Sequence, residues 1–509
     1  CQQMASTNPH KPNVIFILSD DQGAWAMGCA GNREILTPNL DRIAAEGMRF
    51  TNFFCASPVC SPARASLLTG RIPSQHGIHD WIRAGNRGPE SIEYLSGQLT
   101  YTEVLAEQGY VCGLSGKWHL GNSPKSQKGF TDWFVHLLGG SDYYGAPMFR
   151  NGREYEEPAY VTDVITDEAL QMLDRYAQDE RPFYLGVHYT APHSPWNREQ
   201  HPEEIWALYE DCPFESVPEE PIHPWQANTA PFGEGERRKE LLRGYFTAVT
   251  AMDRGIGRIL EKLDRLGLRE NTLLVFTSDN GMNMGHHGIW GKGNGTFPQN
   301  MFDTSVKVPF LISQPGRITQ GAVCDELVSA YDFMPTLLDY VGTDYRHSPD
   351  LPGRSFAALL NGKPVEEGRF VVVHDEYGPV RMVRTKEWKY VHRYPYGPHE
   401  LYNLVADPDE RVNRISDPAC ESIRAELKSR LESWFVRYAD PALDGTHEPV
   451  TGKGQLTWAG PRGKGAKGYA DDLELVSPHR SESSVPPLPT PLVSRTSSSP
   501  STSLPPYGG

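Results

Sequence analysis

Short apolar runs alternate with amphipathic stretches over the first two thirds of the chain. The segments NVIFILSDDQG and NTLLVFTSDNG each begin with an apolar run and end in polar residues, which predicts two buried parallel strands. TPNLDRIAAEGMRF predicts a helix with Thr37 as its N-cap, Pro38 in its first turn and Gly47 as its stop. A longer amphipathic pattern predicts a helix over residues 237–266. The alternation predicts an α/β fold with a mostly parallel central sheet flanked by helices.

The pattern changes near residue 369. RFVVVHDEYGPVRMVRTKEWKYVHRY alternates apolar and polar positions around turns, which predicts an antiparallel meander. The expected organisation is an N-terminal tether, a large α/β domain, a smaller C-terminal antiparallel α+β subdomain closed by a helix over residues 417–438, and a Gly-, Ser- and Pro-rich tail. The tail is expected to be disordered, because it has too little apolar surface to fold. These parts cover residues 1–12, 13–368, 369–459 and 460–509.

Composition narrows the class of protein. With 509 residues and 38% hydrophobic residues, the chain can bury a sizeable core. Its net charge of −15 argues against a nucleic-acid partner. No apolar run approaches the roughly 18 residues of a membrane span. The eight cysteines form no CxxC pair. The start CQQMASTNPHKPN resembles a mature bacterial lipoprotein, so an exported periplasmic or outer-membrane protein lipidated at Cys1 is expected, with a fragment boundary as the alternative.

Several polar residues lie directly after predicted strands. Because parallel strands present their carboxyl ends at one edge of a sheet, these residues are expected to form one site. They are Asp20, Asp21, Lys117, His119, His193, Asp279 and Asn280. The Asp and Asn residues offer only oxygen ligands, which favours calcium, with magnesium as the second choice, over zinc or copper. The alternative is that these pairs are ordinary caps or turns.

A cationic set accompanies the acidic residues, made up of Arg64, Lys117, His119, His193 and Lys292. A metal ion beside such a set suits a tetrahedral oxyanion, sulfate or phosphate. Cys60 opens a predicted helix in SPVCSPARASLLTGR, where the helix N-terminus favours anions. A thiolate matches neither a hard cation nor an oxyanion, so the role of Cys60 needs another explanation.

The sequence resembles the type I, formylglycine-dependent sulfatases of the alkaline phosphatase superfamily. The resemblance runs from residue 13 to 438, through CSPARASLLTGR, GKWHLG, APHSPW, TSDNGMNMGHHGIWGKG, VPFLISQPG and ELYNLVADPDE. It implies an alkaline-phosphatase-like fold and a hydrolase that releases sulfate from a sulfuric ester. It also implies that a separate maturing enzyme oxidises Cys60 to formylglycine. One hydroxyl of the hydrated aldehyde would then attack sulfur, and the second would allow sulfate to be eliminated.

The resemblance also assigns roles to the candidate residues. Asp20, Asp21, Asp279, Asn280 and the formylglycine made from Cys60 match the metal ligands. Arg64 and His119 match contacts of the hydrate, with His119 as the base for elimination. Lys117, His193 and Lys292 match contacts of the sulfate. Either His193 or Lys292 would protonate the leaving oxygen.

Two alternatives and a substrate class complete the expectations. A phosphatase or phosphonate monoester hydrolase on the same fold would have a similar metal site, and an inactive relative could bind sulfated glycans without cleaving them. The segment IPSQHGIHDWIRAGNRG follows the cysteine helix. It offers His76, His79, Trp81 and Arg83 as possible lining of a pocket mouth, where Trp suits a sugar ring and Arg suits an anionic group. A sulfated carbohydrate is therefore the expected substrate, with an ordinary structural loop as the alternative reading.

Overall fold

A ten-stranded sheet forms the centre of the molecule in this computed structural model, which describes residues 11–375 and 380–471. The strands of this sheet and of the smaller sheets are, in chain order, β1 Asn13–Ser19, β2 Met48–Phe50, β3 Phe53–Phe54, β4 Val111–Lys117, β5 Asp132–His136, β6 Ala146–Arg150, β7 Arg153–Glu157, β8 Phe183–His188, β9 Thr272–Ser278, β10 Asn283–Met284, β11 Trp290–Gly291, β12 Phe310–Ser313, β13 Ala322–Cys324, β14 Val328–Ser329, β15 Val371–Asp375, β16 Val380–Arg384, β17 Trp388–Arg393 and β18 Glu400–Asn403. The helices are α1 Pro38–Ala45, α2 Cys60–Thr69, α3 Pro73–His76, α4 Tyr101–Glu107, α5 Val161–Tyr176, α6 Glu203–Trp206, α7 Gly235–Arg265, α8 Asp303–Val306, α9 Phe333–Tyr340 and α10 Glu421–Tyr438.

The large sheet has a parallel centre, with antiparallel pairs on either side of it. Its strand order is β13-β2-β12-β9-β1-β8-β4-β5-β6-β7, and the five neighbours from β9 to β5 are parallel. Strand β12 pairs antiparallel with β9, and β6 pairs antiparallel with β5 and β7. The predicted mostly parallel sheet is therefore confirmed.

Strand β1 shows how the sheet is held between two helical layers. Val14, Phe16 and Leu18 pack in the core on one face, together with residues of α2, α4 and α9. Ile15 and Ile17 pack on the other face, with residues of α1, α5 and α7. All five side chains are almost fully buried, and each burial of this kind stabilises the fold by roughly 1.5–3 kcal/mol. Because both faces are covered, the strand reads as one continuous apolar run.

A second, four-stranded sheet follows the large one in sequence. Strands β15 to β18 pair antiparallel in chain order, as the predicted meander requires, and helix α10 packs on β16 and β17. After α10 the chain returns to the large domain, where the backbone N–H groups of Asp440 and Gly445 donate to the carbonyl and the hydroxyl of Ser74 in α3. Residues 440–471, here called the return segment, thus contact the short helix that follows α2.

The predicted tail boundary is wrong for residues 460–471. Gly460–Gly463 form a short 3-10 helix, Tyr469 and Ala470 are buried, and Ala470 bonds to the carbonyl of Gly454. This order could not be predicted, because the Gly-rich composition gives no sign of the few apolar contacts that anchor the segment. The expected lipidation of Cys1, most of the tether and the rest of the tail fall outside the described residues. Among the helices that the structure describes, none is both long enough and apolar enough to cross a membrane.

Candidate active site

The predicted polar residues meet at the carboxyl edge of four neighbouring strands, β9, β1, β8 and β4. Asp20 and Asp21 follow β1, Asp279 follows β9, and Lys117 ends β4. His193 lies in the loop after β8, between two cis prolines. Since these strands are adjacent and parallel, their ends deliver the side chains to one place. The contacts described below bring these side chains together at this edge.

Three ligand atoms lie close enough to share one ion. Oxygens of Asp20 and Asp21 and the sulfur of Cys60 are all within 4.8 Å of one another. The Cys60 Sγ lies 3.5 Å from Asp20 Oδ1 and 4.0 Å from Asp21 Oδ1. Asp279 Oδ1 accepts the backbone N–H of Asp21 at 3.1 Å, and Asn280 Nδ2 donates to Asp21 Oδ1 at 2.8 Å. All of these side chains are buried.

The donor set fits a hard cation. The Asn280 Oδ1 is buried and has no hydrogen-bond partner within the described part of the chain. A buried acceptor of this kind costs free energy unless a ligand satisfies it. Together with three carboxylates, it supplies the oxygen ligands that calcium prefers. The residues therefore fit a hard metal ion, for which Cys60 would contribute an oxygen only after modification.

Each carboxylate of the site has a buried cation beside it. Lys117 Nζ donates to Asp20 Oδ2 at 2.6 Å, and Lys292 Nζ donates to Asp21 Oδ1 at 2.5 Å. Arg64 contacts Asp279 Oδ2 through Nε at 3.2 Å and Nη2 at 3.1 Å. Three cations thus balance three carboxylates, so a bound divalent ion would leave the site with net positive charge. Such a charge attracts an anionic substrate.

The pKa values reflect this mixture of burial and pairing. Burial opposes the ionisation of Asp21, but the charge of Lys292, followed by that of His193, holds its pKa below the usual range. Burial, and after it the charge of Asp20, raises the pKa of Asp279 to about 6. Burial disfavours the Lys292 ammonium, yet Asp21 and the other anionic groups raise its pKa well above the ordinary value. A bound cation would add positive charge beside the carboxylates and favour their ionised forms.

Cys60 is the first residue of α2, whose N-terminus opens toward the carboxylates. Lys292 Nζ lies 3.0 Å from its sulfur. Burial raises the pKa of the Cys60 thiol to about 12, although the charges of Lys117 and Lys292 act in the opposite direction. The whole helix is buried, and Gly70 ends it in a left-handed conformation. The thiol is therefore protonated at neutral pH in this structure.

The two predicted histidines flank the cluster. His193 Nδ1 donates to the Ser194 carbonyl at 2.7 Å, which leaves Nε2 3.6 Å from Asp21 Oδ2. Burial lowers the pKa of His193 to about 4, and the Asp21 carboxylate offsets part of that shift. His119 has a left-handed backbone, with φ of 56°, and its Nε2 donates to the Ile82 carbonyl at 2.9 Å. The Ser61 hydroxyl donates to the carbonyl of His119 at 2.9 Å.

Two glycines complete the site, and the sequence interpretation missed them. A Cβ atom on Gly139 would lie 2.3 Å from His119 Cε1, and one on Gly140 would lie 3.0 Å from His193 Cε1. The Gly139–Gly140 backbone therefore packs directly against both imidazole rings, which a larger residue at position 139 would displace. A glycine pair after a strand is common, and only its spatial contact with the histidines reveals this role.

The four weaker candidates divide into two pairs. His76 is buried and bonds to the Ser66 hydroxyl at 3.1 Å, and His79 is also fully buried, so neither lines a pocket mouth as expected. Their burial follows from the turn after α2, which folds this part of the loop against the helix. Trp81 and Arg83 are partly exposed and bond to the carbonyls of Gly452 and Lys453 in the return segment. They flank Ile82, whose carbonyl contacts His119.

Comparisons with known proteins agree with this geometry. A sulfatase family model matches residues 12–343, and a model of the N-sulphoglucosamine sulphohydrolase C-terminal region matches residues 285–436. An ulvan-active sulfatase from Formosa agariphila is 31% identical over 450 residues, which cover 85% of this chain and 82% of the relative. An N-acetylglucosamine-6-O-sulfatase from Bacteroides thetaiotaomicron is 27% identical over 86% of this chain and 89% of the relative. A solved structure in complex with its substrate D-glucosamine-2-N,6-O-disulfate has 25% identity and a TM-score of 0.74, covering 86% of this chain and 100% of that chain.

Proposed function

The chain belongs to the sulfatase family, and from that premise we propose that it hydrolyses a sulfate ester of a carbohydrate with a nucleophile made from Cys60. The observation that carries the proposal is the place of Cys60, with its sulfur 3.5 Å from Asp20 and 3.0 Å from Lys292. A group there contacts both a candidate metal ligand and a cation that can hold sulfate. The names of the relatives, which refer to ulvan and to N-acetylglucosamine 6-O-sulfate, support a sulfated carbohydrate.

We propose calcium as the metal, with magnesium as the second choice. Asp20, Asp21, Asp279 and Asn280 would hold it, together with an oxygen on the modified Cys60. The buried Asn280 Oδ1, which has no partner in the described residues, supports this assignment. When present, calcium and the hydrated aldehyde supply a hydroxyl acidic enough to attack sulfur at neutral pH and a second hydroxyl that allows sulfate to leave.

The remaining residues bind sulfate and move protons. Arg64 and Lys117 hold the metal-side carboxylates at 3.1 Å and 2.6 Å and face the site as cations, so they would orient the anionic ester. Lys292 and His193 lie on either side of Asp21, and one of them would give a proton to the leaving oxygen. His119 would take the proton whose removal lets sulfate leave, as the resemblance implies.

Trp81 and Arg83 are the proposed contacts of the sugar. They are partly exposed and flank Ile82, whose N–H is not available to a ligand because it already donates to Ser61 Oγ at 3.1 Å. The guanidinium carbon of Arg83 lies 5.9 Å from the centre of the Trp81 ring. An aromatic ring with an adjacent cation suits a sugar that carries a second anionic group. Defined sulfated mono- and disaccharides would show which sugar and sulfate position are preferred.

Mass spectrometry and activity on the same samples test the proposal. The protein is made with and without a maturing enzyme, and the peptide Ser57–Arg71 is analysed alongside sulfate release. We expect turnover to follow the fraction of formylglycine at Cys60, and Cys60→Ala to be inactive. Cys55→Ala is the matched control, because Cys55 is also buried but is not part of the site. Full activity from protein that carries only the unmodified thiol would refute the proposed chemistry.

The alternatives on the same fold are tested by a pair of small substrates. The proposal expects an aryl sulfate to be turned over faster than the matching aryl phosphate. A phosphatase or phosphonate hydrolase would reverse that preference, and an inactive glycan-binding relative would release neither product. The comparisons and the complete set of buried cations and carboxylates favour neither alternative.

A further inference from the structure

The return segment contacts the loop that carries Trp81 and Arg83, here called the 78–84 loop. The family models match residues 12–343 and 285–436, so the return segment, residues 440–471, lies beyond both of them. Its residue Gln455 pairs with Ile82 and with Tyr469 as isolated bridges. Gln455 therefore contacts both the 78–84 loop and the last part of the return segment.

Gln455 uses its whole amide group to hold the loop. Its side chain is fully buried. The Oε1 accepts the backbone N–H groups of His79 at 2.9 Å and Asp80 at 3.3 Å. The Nε2 donates to the carbonyls of Gly77 and Thr457, each at 3.0 Å. A primary amide has two donor hydrogens and one oxygen with two lone pairs, so all of its hydrogen-bonding capacity is used.

The backbone of Gln455 continues the same contact. Its N–H donates to the Trp81 carbonyl at 2.8 Å, and its carbonyl accepts the N–H of Arg83 at 3.0 Å. One residue of the return segment thus holds the loop on both sides of Ile82. Most of these groups are buried, and a buried backbone group that loses its partner costs free energy.

The opposite side of the loop contacts the active site. The Ile82 N–H donates to Ser61 Oγ at 3.1 Å, and the Ile82 carbonyl accepts His119 Nε2 at 2.9 Å. Ser61 is the neighbour of Cys60 in the chain. Because a carbonyl oxygen can only accept, the His119 Nε2 must carry a hydrogen, and in the neutral ring the lone pair is then on Nδ1. Ile82 therefore fixes both the tautomer and the direction of the ring.

We propose that Gln455 is a positioning residue for His119. It holds the 78–84 loop so that the Ile82 carbonyl keeps the ring in the tautomer and direction needed for proton removal. The inference rests on the proposed function, because the role of His119 comes from it. Displacement of a catalytic group by about 1 Å can cost about 10²-fold in rate, so loss of these bonds acts on the reaction as well as on packing.

The main experiment uses Gln455→Met, which keeps the length of the side chain and removes its four hydrogen bonds. With formylglycine-containing protein and a small aryl sulfate, we expect kcat to fall about 10- to 100-fold and KM to fall with it, so that kcat/KM stays near the wild-type value. The first equivalent of aryl alcohol should still appear at the wild-type rate, because His119 acts after the alcohol has left. Lys453→Ala is the matched control, since that residue contacts Arg83 through its backbone carbonyl.

A second variant covers the case in which Gln455→Met does not fold. A Cβ atom on Gly454 would lie 2.6 Å from the Arg83 Cβ, so Gly454→Ala pushes the loop while Gln455 is kept. We expect the same separation between the first and later turnovers. Hydrogen exchange measured by mass spectrometry should increase at residues 78–84 in both variants and stay unchanged in Lys453→Ala.

The outcomes separate this inference from the proposed function. A variant that stays folded, exchanges faster at residues 78–84 and keeps the wild-type kcat would overturn the positioning role. So would a variant in which the first turnover and later turnovers fall by the same factor, because that is the result of a smaller folded fraction. Wild-type protein that carries formylglycine and releases no sulfate from any ester would overturn the proposed function, and this inference with it.

Discussion

Two clusters of charged side chains in the described part of the molecule, compared side by side, show that charge pairs can serve different purposes in one fold. The site cluster contains Asp20, Asp21, Asp279, Arg64, Lys117 and Lys292. The junction cluster contains Asp303, Glu410, Lys307, Arg384 and Lys389. The first lies at the carboxyl edge of the large sheet. The second lies where the four-stranded sheet meets the large one, because Arg384 and Lys389 belong to β16 and β17.

In the junction cluster, one aspartate gathers cations from several elements. Asp303 Oδ1 accepts Lys389 Nζ at 2.7 Å, and Asp303 Oδ2 pairs with Arg384 at 3.2 Å. Lys389 also donates to the Met301 carbonyl at 2.7 Å and pairs with Glu410. Burial opposes the ionisation of Asp303, but the charge of Lys389, with Lys307 and Arg384, lowers its pKa well below the ordinary value. This carboxylate is satisfied by the protein itself.

In the site cluster, each carboxylate also has a cation beside it, and burial raises a pKa in both clusters, that of Asp279 to about 6 and that of Glu410 to about 7. What sets the site cluster apart is that oxygens of Asp20 and Asp21 lie within 4.8 Å of the Cys60 sulfur, and that the nearby Asn280 Oδ1 has no partner in the residues that the structure describes. Like charges held together in the interior cost stability unless a ligand compensates them. The charges of the junction cluster therefore hold two parts of the fold together, whereas those of the site cluster are arranged around a place where a ligand can bind.

The largest effect is expected from Asp279→Ala. The substitution removes a proposed metal ligand and leaves the apolar core intact, so activity should fall more than about a thousandfold while the protein stays folded. Activity on an aryl sulfate and the melting temperature of the same sample check this. Asp303→Ala is the matched control, since Asp303 is a partly buried aspartate that also pairs with an arginine. Equal loss of activity in the two variants would contradict the distinction between the clusters.

Asp303→Asn should have the opposite profile. It leaves Lys389 and Arg384 without their carboxylate, so the free energy of unfolding should fall by about 3–5 kcal/mol, while activity per folded molecule is kept. The pKa of Asp303 is lowered from 3.8, so its stabilising contribution is present above that pH and is lost as the pH falls further. Denaturant unfolding near neutral pH measures the difference between wild type and variant. An unchanged unfolding free energy would show that the junction pairs contribute nothing.

Calcium should stabilise the wild-type protein through the site cluster. A ligand that binds only the folded state adds about 2.7 kcal/mol at a free concentration of 100 times its Kd. We expect the melting temperature to rise with calcium, to fall after chelation, and to respond less to magnesium. In Asp279→Ala the calcium response should disappear, whereas in Asp303→Asn it should remain. Full activity after exhaustive chelation would rule out the metal.

Gly139→Ala tests how closely the site is packed. The new methyl group would lie 2.3 Å from His119 Cε1, so the ring must move, and we expect kcat to fall about tenfold or more without a large change in stability. Gly140→Ala should have a smaller effect, because its Cβ would be 3.0 Å from His193 Cε1. Steady-state kinetics on one substrate compare the two variants. A larger effect at Gly140 would mean that His119 tolerates displacement.

Deletion of residues 477–509 should have the smallest effect. Neither cluster and no candidate site residue lies in that part of the chain. We therefore expect kcat, KM and the melting temperature of the shortened protein to equal those of the full chain. A loss of turnover without unfolding would show that the tail takes part in the reaction.

The sequence predicted those features that have a local pattern. Asp20 and Asp279 follow apolar runs that can only be buried strands, so their meeting at one sheet edge follows from the rule for parallel strands. The motif around Cys60 resembles that of the formylglycine-dependent sulfatases, and this resemblance also assigns roles to Lys117 and Lys292. Buried strands and strand-end residues can be predicted in this way because a few neighbouring residues determine them.

Other features depend on contacts between distant parts of the chain. Gln455 bonds to residues that are more than three hundred positions away, and nothing in its neighbourhood of small polar residues indicates that role. The Gly139–Gly140 pair and the burial of His76 have the same cause. Composition predicts a disordered tail for residues 460–471, since it does not reveal that Tyr469 and Ala470 are buried and anchor the segment.

The burial of helix α2 sets an order of events in biosynthesis. All ten residues of Cys60–Thr69 are buried, and Cys60 is only 5% exposed. An enzyme that oxidises Cys60 cannot reach the sulfur once this helix has packed between the sheet and its neighbours. The proposed modification would therefore have to take place before this helix has packed. Folded protein that carries the thiol should remain unmodified when it meets the maturing enzyme later, whereas the same protein should become a substrate for that enzyme after denaturation.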